Sequence, residues 1–257
     1  MQASAASAAS ATASSSPSPS PSPAARFPRR RPAPPCAASS PPASSASPSA
    51  PPLPLPLGTP FGAAGEKTVL VPIGHGFEEI EAVVLVDVLR RAGAKVTLAS
   101  VEETLTVTGS RGIKVLADVP IAFVAESAFH LVALPGGMPG SERLRDSPEL
   151  LGLLRRQRAA GGLYAAICAA PAVVLQSQGL LSGSPPKKAT AHPAFVSKLE
   201  DPSLVERRVV VDGKLVTSRG PGTALEFALA LVEQLFGPEK KREVAGPMVM
   251  APGWESL

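Results

Sequence analysis

Gly161-Gly-Leu-Tyr-Ala-Ala-Ile-Cys-Ala-Ala-Pro-Ala-Val-Val-Leu175 reads as a buried strand, a sharp corner and the start of a helix. The apolar run from Leu163 to Ile167 stops at Cys168, and a pattern of helical character begins at once. Alanines flank the thiol, and Pro171 suits the first turn of a helix, where a missing N–H costs nothing. A cysteine at such a corner sits at a helix N-terminus, where the dipole favours a thiolate. Small neighbours are what a sharp, exposed turn of the nucleophile-elbow kind requires. A buried structural cysteine fits the same residue types, so the surroundings have to decide between the two.

Outward from this stretch, strand and helix patterns alternate. Lys67 to Ile73 is β-branched-rich without polar alternation, as in a strand buried on both faces of a parallel sheet. A helix is expected from about Glu78 to Ala92, with Gly93 as its stop, then a strand from Lys95 to Ser100. Short β-like runs follow near Thr104–Thr108 and Ile113–Leu116, and a further apolar strand spans Phe129 to Leu134. Ser147 caps a helix that begins at Pro148 and runs to about Ala160. Beyond the thiol lie a Gly/Ser/Pro loop, a short strand ending at Ala191, and His192-Pro193. Asp212-Gly213 marks a hairpin between Val209–Val211 and Lys214–Thr217, and a last helix runs from Pro221 to Phe236. The expected fold is α/β with a mainly parallel central sheet in a single domain. Ligands of such sheets sit outside the carboxyl ends of the strands, where the corners after Ile73, Leu134 and Ile167 fall.

Composition separates the chain into a leader and this domain. The first 60 residues hold 16 of the 30 prolines, many Ser and Ala, four arginines (Arg26, Arg29, Arg30, Arg31) and no acid. Such a segment buries too little apolar surface to offset its ordering entropy, so it is expected to be disordered. An acid-free, Ser-rich, Arg-bearing N-terminus without an apolar signal core has the character of an organelle transit peptide. The expected division is 1–65 leader, 66–248 domain and 249–257 tail. A plastid address is expected, with mitochondrion or cytosol as the alternatives. Without the four leader arginines, the 25 basic and 21 acidic residues become 21 against 21. The domain is neutral, which argues against a nucleic-acid partner, and no apolar run is long enough for a membrane span. Cys36 lies in the leader, so the domain has one thiol, Cys168. His75, His130 and His192 are too scattered for a zinc signature, and no metal or other cofactor is expected.

Glu81 is the second informative residue. It shares a helical stripe with Val84, Leu85 and Val88, so the fold should bury it, and a buried carboxylate must be paired or protonated. A partly exposed helix acid fits the same spacing. Gly136-Gly137 follows a buried strand and can point backbone N–H groups at a ligand, an oxyanion site that the Ala169 amide would complete; a plain turn is the other reading. His192 precedes a proline and can assist proton transfer near Cys168, or serve as an ordinary histidine.

These motifs together resemble the ThiJ/PfpI superfamily, in the branch of the Parkinson-disease-linked protein deglycase and its plant relatives. The carriers are Gly76-Phe-Glu-Glu-Ile-Glu81, Val86-Asp-Val-Leu-Arg-Arg-Ala-Gly93, Leu134-Pro-Gly-Gly137, Ala165-Ala-Ile-Cys-Ala-Ala-Pro171, Ala191-His-Pro193 and Thr217-Ser-Arg-Gly-Pro-Gly-Thr223. The resemblance implies a flavodoxin-like three-layer sandwich and a homodimer. It makes Cys168 the reactive thiol and Glu81 a protonated acid on its sulfur, with the Gly137 and Ala169 amides as the oxyanion site and His192 close by. It implies a glutathione-independent glyoxalase (a glyoxalase III-type lyase of the D-lactate dehydratase class), a deglycase of methylglyoxal and glyoxal adducts, or a redox sensor whose cysteine is oxidised to sulfinate. The expected substrates are small dicarbonyls or glycated protein and amino-acid adducts.

Departures from the family pattern narrow this. The protease branch places His directly after its cysteine, where this chain has Ala169, so protease activity is not expected. The better-known animal member has further cysteines where this chain has Gly109 and Leu116, so regulation by those thiols is absent. Plant relatives often carry two such domains in tandem, whereas this chain has one, as a truncated or alternatively spliced product would.

Overall fold

In the computed structural model the described residues are 65–254, which form part of one compact unit. The expectations for the leader up to residue 64, for Cys36 and for the last three residues lie outside them. Strand β1 (Thr68–Ile73) pairs in parallel with β2 (Lys95–Ser100), and helix α1 (Glu79–Arg91) connects them. Glu78 caps α1 by accepting from the Glu81 N–H, Arg90 and Arg91 occupy its last turn, and Gly93 turns the chain away at φ +88°.

A two-stranded antiparallel hairpin, β3 (Thr106–Thr108) with β4 (Lys114–Leu116), stands apart from the main sheet. The chain continues through β5 (Val119–Pro120), α2 (Ile121–Val124), β6 (Leu131–Leu134), α3 (Gly140–Asp146), α4 (Pro148–Ala159) and β7 (Leu163–Ile167). The hairpin β8 (Val209–Asp212) and β9 (Leu215–Ser218) closes the sheet, followed by α5 (Ala224–Phe236) and α6 (Pro238–Ala245). The sheet order is β5-β2-β1-β6-β7-β9-β8, with every neighbouring pair parallel except β8 with β9.

Both faces of this sheet are covered, which explains the unbroken apolar strands. Val69, Val71, Ile73, Ala165 and Ile167 face one layer with Leu85 and Val88 of α1 and Phe227 and Leu231 of α5. Leu70, Val132, Leu134, Tyr164 and Ala166 face the other, with Leu144 of α3 and Leu150 and Leu154 of α4. The result is the expected flavodoxin-like three-layer α/β arrangement.

The structure departs from the sequence reading in several places. Residues 187–191 form no strand, because β9 already has β7 on one side and β8 on the other. The Thr190 amide bonds instead to Thr217 Oγ1, and its hydroxyl to Val205 O. After Cys168 the chain makes wide π-type turns over Pro171–Gln176 rather than an α-helix. The Ser177 N–H accordingly reaches back to Ala172 O, and its hydroxyl bonds to Val173 O. Helices α2, α3 and α6 and the short β5 were not read from the pattern, being too short to show helical or strand periodicity. In the tail, Lys241 of α6 lies 5.8 Å from the Trp254 ring, and Trp254 packs on the core.

The order of connection reverses between β1 and β6: the chain first steps out to β2 and later returns to β1's other side. The β1–β6 register reaches only Leu70↔Val132, so Pro72, which has no N–H, lies beyond it. The crevice at this switch point is where an open α/β sheet offers a site.

Candidate active site

Three corners meet at the carboxyl end of the sheet: the loop after β1, the Gly136-Gly137 turn after β6 and Cys168 after β7. Cys168 sits at φ +65°, in the left-handed region where a side chain costs about 1–2 kcal/mol. Two backbone bonds hold it there. Its N–H donates to Ser218 O at 3.0 Å, and its carbonyl accepts from His192 N–H at 2.8 Å. The sulfur is turned inward, with the residue 8% exposed, and takes hydrogen bonds from the Gly137 and Ala169 amides.

Gly136 must be a glycine. A Cβ there would lie 2.7 Å from Cys168 Cβ and 2.8 Å from Ile167 O. Gly137, at φ +90°, packs against the first loop so closely that a Cβ would meet Glu78 N at 2.4 Å. The two loops are therefore interlocked through backbone, and the Glu78 N–H donates to Gly136 O at 2.9 Å.

Glu81 is fully buried on the sheet-facing side of α1. Its Oε2 accepts from the Gly136 N–H at 2.7 Å. Burial raises its carboxyl to about 7; the Gly136 bond opposes this, the Glu78 charge adds to it, and a hydrogen bond with Cys168 opposes it. The Cys168 thiol is pushed up to about 12, first by burial and then by the charge of Glu81 and the bond to it, while the Gly137 and Ala169 amides pull the other way. The helix dipole expected to favour a thiolate has little to act through here: the residue is buried, and only a short π-type turn follows it. Two of the three raising causes disappear, however, when Glu81 carries the proton. The pair then shares one proton over a wide pH range, and a Glu81 acid beside a Cys168 thiolate is one arrangement of that state.

His192 is joined to Cys168 through its backbone. Its ring Nδ1 accepts from the Ala194 N–H at 3.2 Å, which leaves Nε2 as the protonated nitrogen of the neutral ring, and the ring meets Phe195 edge-on. Gly136, Gly137, Ala169, Glu81 and Cys168 thus come together through side chains or amides, and His192 through its main chain. A groove of about 370 Å³ runs between α1, the sheet and β4, lined by Phe77, Val83, Val86, Arg90, Leu98 and Leu116. Among the described residues, no group of three or more His, Cys, Asp or Glu is arranged to hold a metal ion, and no helix is long and apolar enough to cross a membrane.

The sequence reading took Glu78 only as the start of a helix and gave Ser218 no role. Glu78 stands three residues before Glu81, which is N-cap spacing and was legible. Ser218 could not be found that way, because it acts through its carbonyl.

Comparison with known proteins agrees with this arrangement. The DJ-1/PfpI family pattern matches residues 67–234. Protein DJ-1 homolog B of Arabidopsis thaliana is 50% identical over 191 residues, covering 74% of this chain and 43% of that protein, so the chain spans less than half of its length. The glutathione-independent glyoxalase DJR-1.2 of Caenorhabditis elegans is 36% identical over 73% of this chain and 99% of its own. The solved structure of oxidized Toxoplasma gondii DJ-1 is 49% identical and superimposes with a TM-score of 0.69 over 72% of this chain and 99% of that one. A buried acid hydrogen-bonded beneath a strained cysteine, on this fold and with these matches, places the chain in the DJ-1/PfpI family.

Proposed function

We propose that this protein converts small 2-oxoaldehydes to 2-hydroxy acids without glutathione, or removes the same aldehydes from early glycation adducts. The observation that carries this reading is the fully buried Glu81 carboxyl, held by the Gly136 amide, beside the strained Cys168 and the amides of Gly137 and Ala169. With the proton on Glu81, the sulfur attacks the aldehyde carbon of methylglyoxal, forming a C–S bond and an oxyanion that the two amides receive. Glu81 protonates and deprotonates neighbouring positions as the hemithioacetal rearranges: the C–H proton of the former aldehyde carbon leaves, and the ketone carbon gains a proton. Water then cleaves the lactyl thioester, releasing lactate and restoring the thiol. His192, tied to Cys168 through its backbone N–H, assists the proton steps. The glyoxalase name of the nematode relative supports this reading.

The test is turnover of methylglyoxal by the purified full chain without glutathione. Lactate production is expected in the wild type and its loss in Cys168→Ser and Glu81→Gln; unchanged turnover in either variant would sink the mechanism.

A second reading is favoured by the oxidized state named for the Toxoplasma relative. Two equivalents of peroxide would take the Cys168 thiolate to sulfinate, releasing two waters, with Glu81 hydrogen-bonded to the product. A mass gain of two oxygens on Cys168 with negligible methylglyoxal turnover supports this reading against the first.

We also propose a homodimer through the outer face of α1 and the β3–β4 hairpin, where Val83 is 53% and Leu116 70% exposed, with Ile80 and Ile113 beside them. Light scattering should give twice the chain mass for the wild type and the single mass for Val83→Asp.

A further inference from the structure

Glu78, Gly136 and Glu81 close a ring of three hydrogen bonds. The Glu78 N–H donates to Gly136 O at 2.9 Å, the Gly136 N–H to Glu81 Oε2 at 2.7 Å, and the Glu81 N–H to Glu78 Oε2 at 2.8 Å. The carboxylate that caps α1 is thereby held next to the buried acid of the site. Glu79, between them, turns away to Ser110 and the Arg111 amide. Glu78, from the helix cap, and Cys168, from the corner after β7, are the titratable groups that act on Glu81.

We propose that Glu78 is a positioning residue of this site: its negative charge favours the Glu81 carboxyl over the Cys168 sulfur as the place of the shared proton, and so raises the share of ionised sulfur. Moving that proton breaks the S–H bond, forms an O–H bond on Glu81 and leaves the electron pair on Cys168 Sγ. A negative charge beside Glu81 opposes the reverse transfer, since that would put a second carboxylate next to the first. The thiol is shifted by burial, by Glu81 and by the Gly137 and Ala169 amides, and Glu78 is not among these causes. Its effect on sulfur passes through Glu81. The inference rests on the reading that Glu81 and Cys168 act as one unit, but not on any particular substrate.

The experiment follows alkylation of Cys168 by iodoacetamide across pH in the full chain, with Cys168 resolved from Cys36 by peptide mass spectrometry. Glu78→Gln keeps an oxygen that can accept the Glu81 N–H and removes the charge, whereas Glu78→Asp keeps both charge and capping ability. In Glu78→Gln the rate should rise at lower pH than in the wild type and level off about three- to tenfold lower, the size of a half- to one-unit change in proton affinity. Glu78→Asp should restore the wild-type curve. In a Glu81→Gln background, Glu78→Gln should have no further effect, because the proton it governs is gone.

A wild-type curve in Glu78→Gln overturns the proposal. So does the same shift in Glu78→Asp, or the same effect in the Glu81→Gln background. Iodoacetamide needs no turnover, so a chain inert on methylglyoxal that shows the expected curves sinks the glyoxalase reading and leaves this one standing.

Discussion

Gly136 touches Glu81 and Cys168 at once: its amide donates to Glu81 Oε2 at 2.7 Å, and a Cβ on it would overlap Cys168 Cβ at 2.7 Å. The residue joins acid and thiol because it has no side chain. Gly136→Ala is expected to cost about 1–3 kcal/mol of stability through overpacking, and to slow Cys168 alkylation even where the chain remains folded. Thermal unfolding and alkylation rates, measured together, check this; a variant with wild-type values for both would show that the contact is slack.

Glu81 also makes stability depend on pH. Its carboxyl is raised from an ordinary value of 4.5 to about 7, so the fold binds this proton more tightly than the unfolded chain does. Its contribution is complete below pH 4.5 and is lost as pH rises toward 7, a change of roughly 3 kcal/mol. Glu81→Gln cannot lose the proton. The variant should therefore gain on the wild type between these two pH values in urea unfolding, and two curves that stay parallel would contradict the assignment.

Gly109 leaves no room for a side chain. A Cβ at Gly109 would lie 2.5 Å from Glu79 Cδ, and that carboxylate is fixed by Ser110 Oγ and the Arg111 amide. Burial works to raise the Glu79 carboxyl, but these bonds outweigh it and hold it below the usual range. Gly109→Cys should lower stability by about 1–3 kcal/mol, measured by denaturant unfolding, and the loss should shrink in a Glu79→Ala background.

Thr217 anchors the segment that carries His192. Its Oγ1 receives the buried Thr190 amide at 2.9 Å, and two residues later the His192 N–H bonds to Cys168 O. Thr217→Val leaves that amide unpaired at a cost of about 1–3 kcal/mol and should speed hydrogen exchange at Thr190 and His192. Thr217→Ser keeps the acceptor and should exchange as the wild type does.

We propose a plastid address for the leader. Residues 1–65 fused to a fluorescent reporter should enter plastids in leaf cells, and a reporter left in the cytosol would overturn the address.

Much of the molecule was readable from one dimension, and the reason is periodicity. The runs at Lys67–Ile73 and Leu163–Ile167 lack polar alternation because helices cover both faces of the sheet, as the two apolar layers show. Caps at Ser147 and Gly93 are local, so the ends of α4 and α1 followed from single residues. Cys168, Glu81, Gly136 and Gly137 were also legible, each as a residue type out of keeping with its stretch: a thiol ending an apolar run, an acid on an apolar stripe, a double glycine after a strand.

Other features exist only between segments distant in sequence. The run ending at Ala191 has strand composition, yet β9 has no free edge to offer it, so tertiary pairing overrode local preference. The state of the thiol was likewise beyond local reading. A helix N-terminus argues for a low proton affinity, whereas burial and the neighbouring Glu81 push it up to about 12. Residue type and spacing determined which groups meet. Which of them holds the proton depends on dehydration, on the charges of Glu78 and Glu81 and on amides from the corners after β6 and β7, and only the folded chain brings those together.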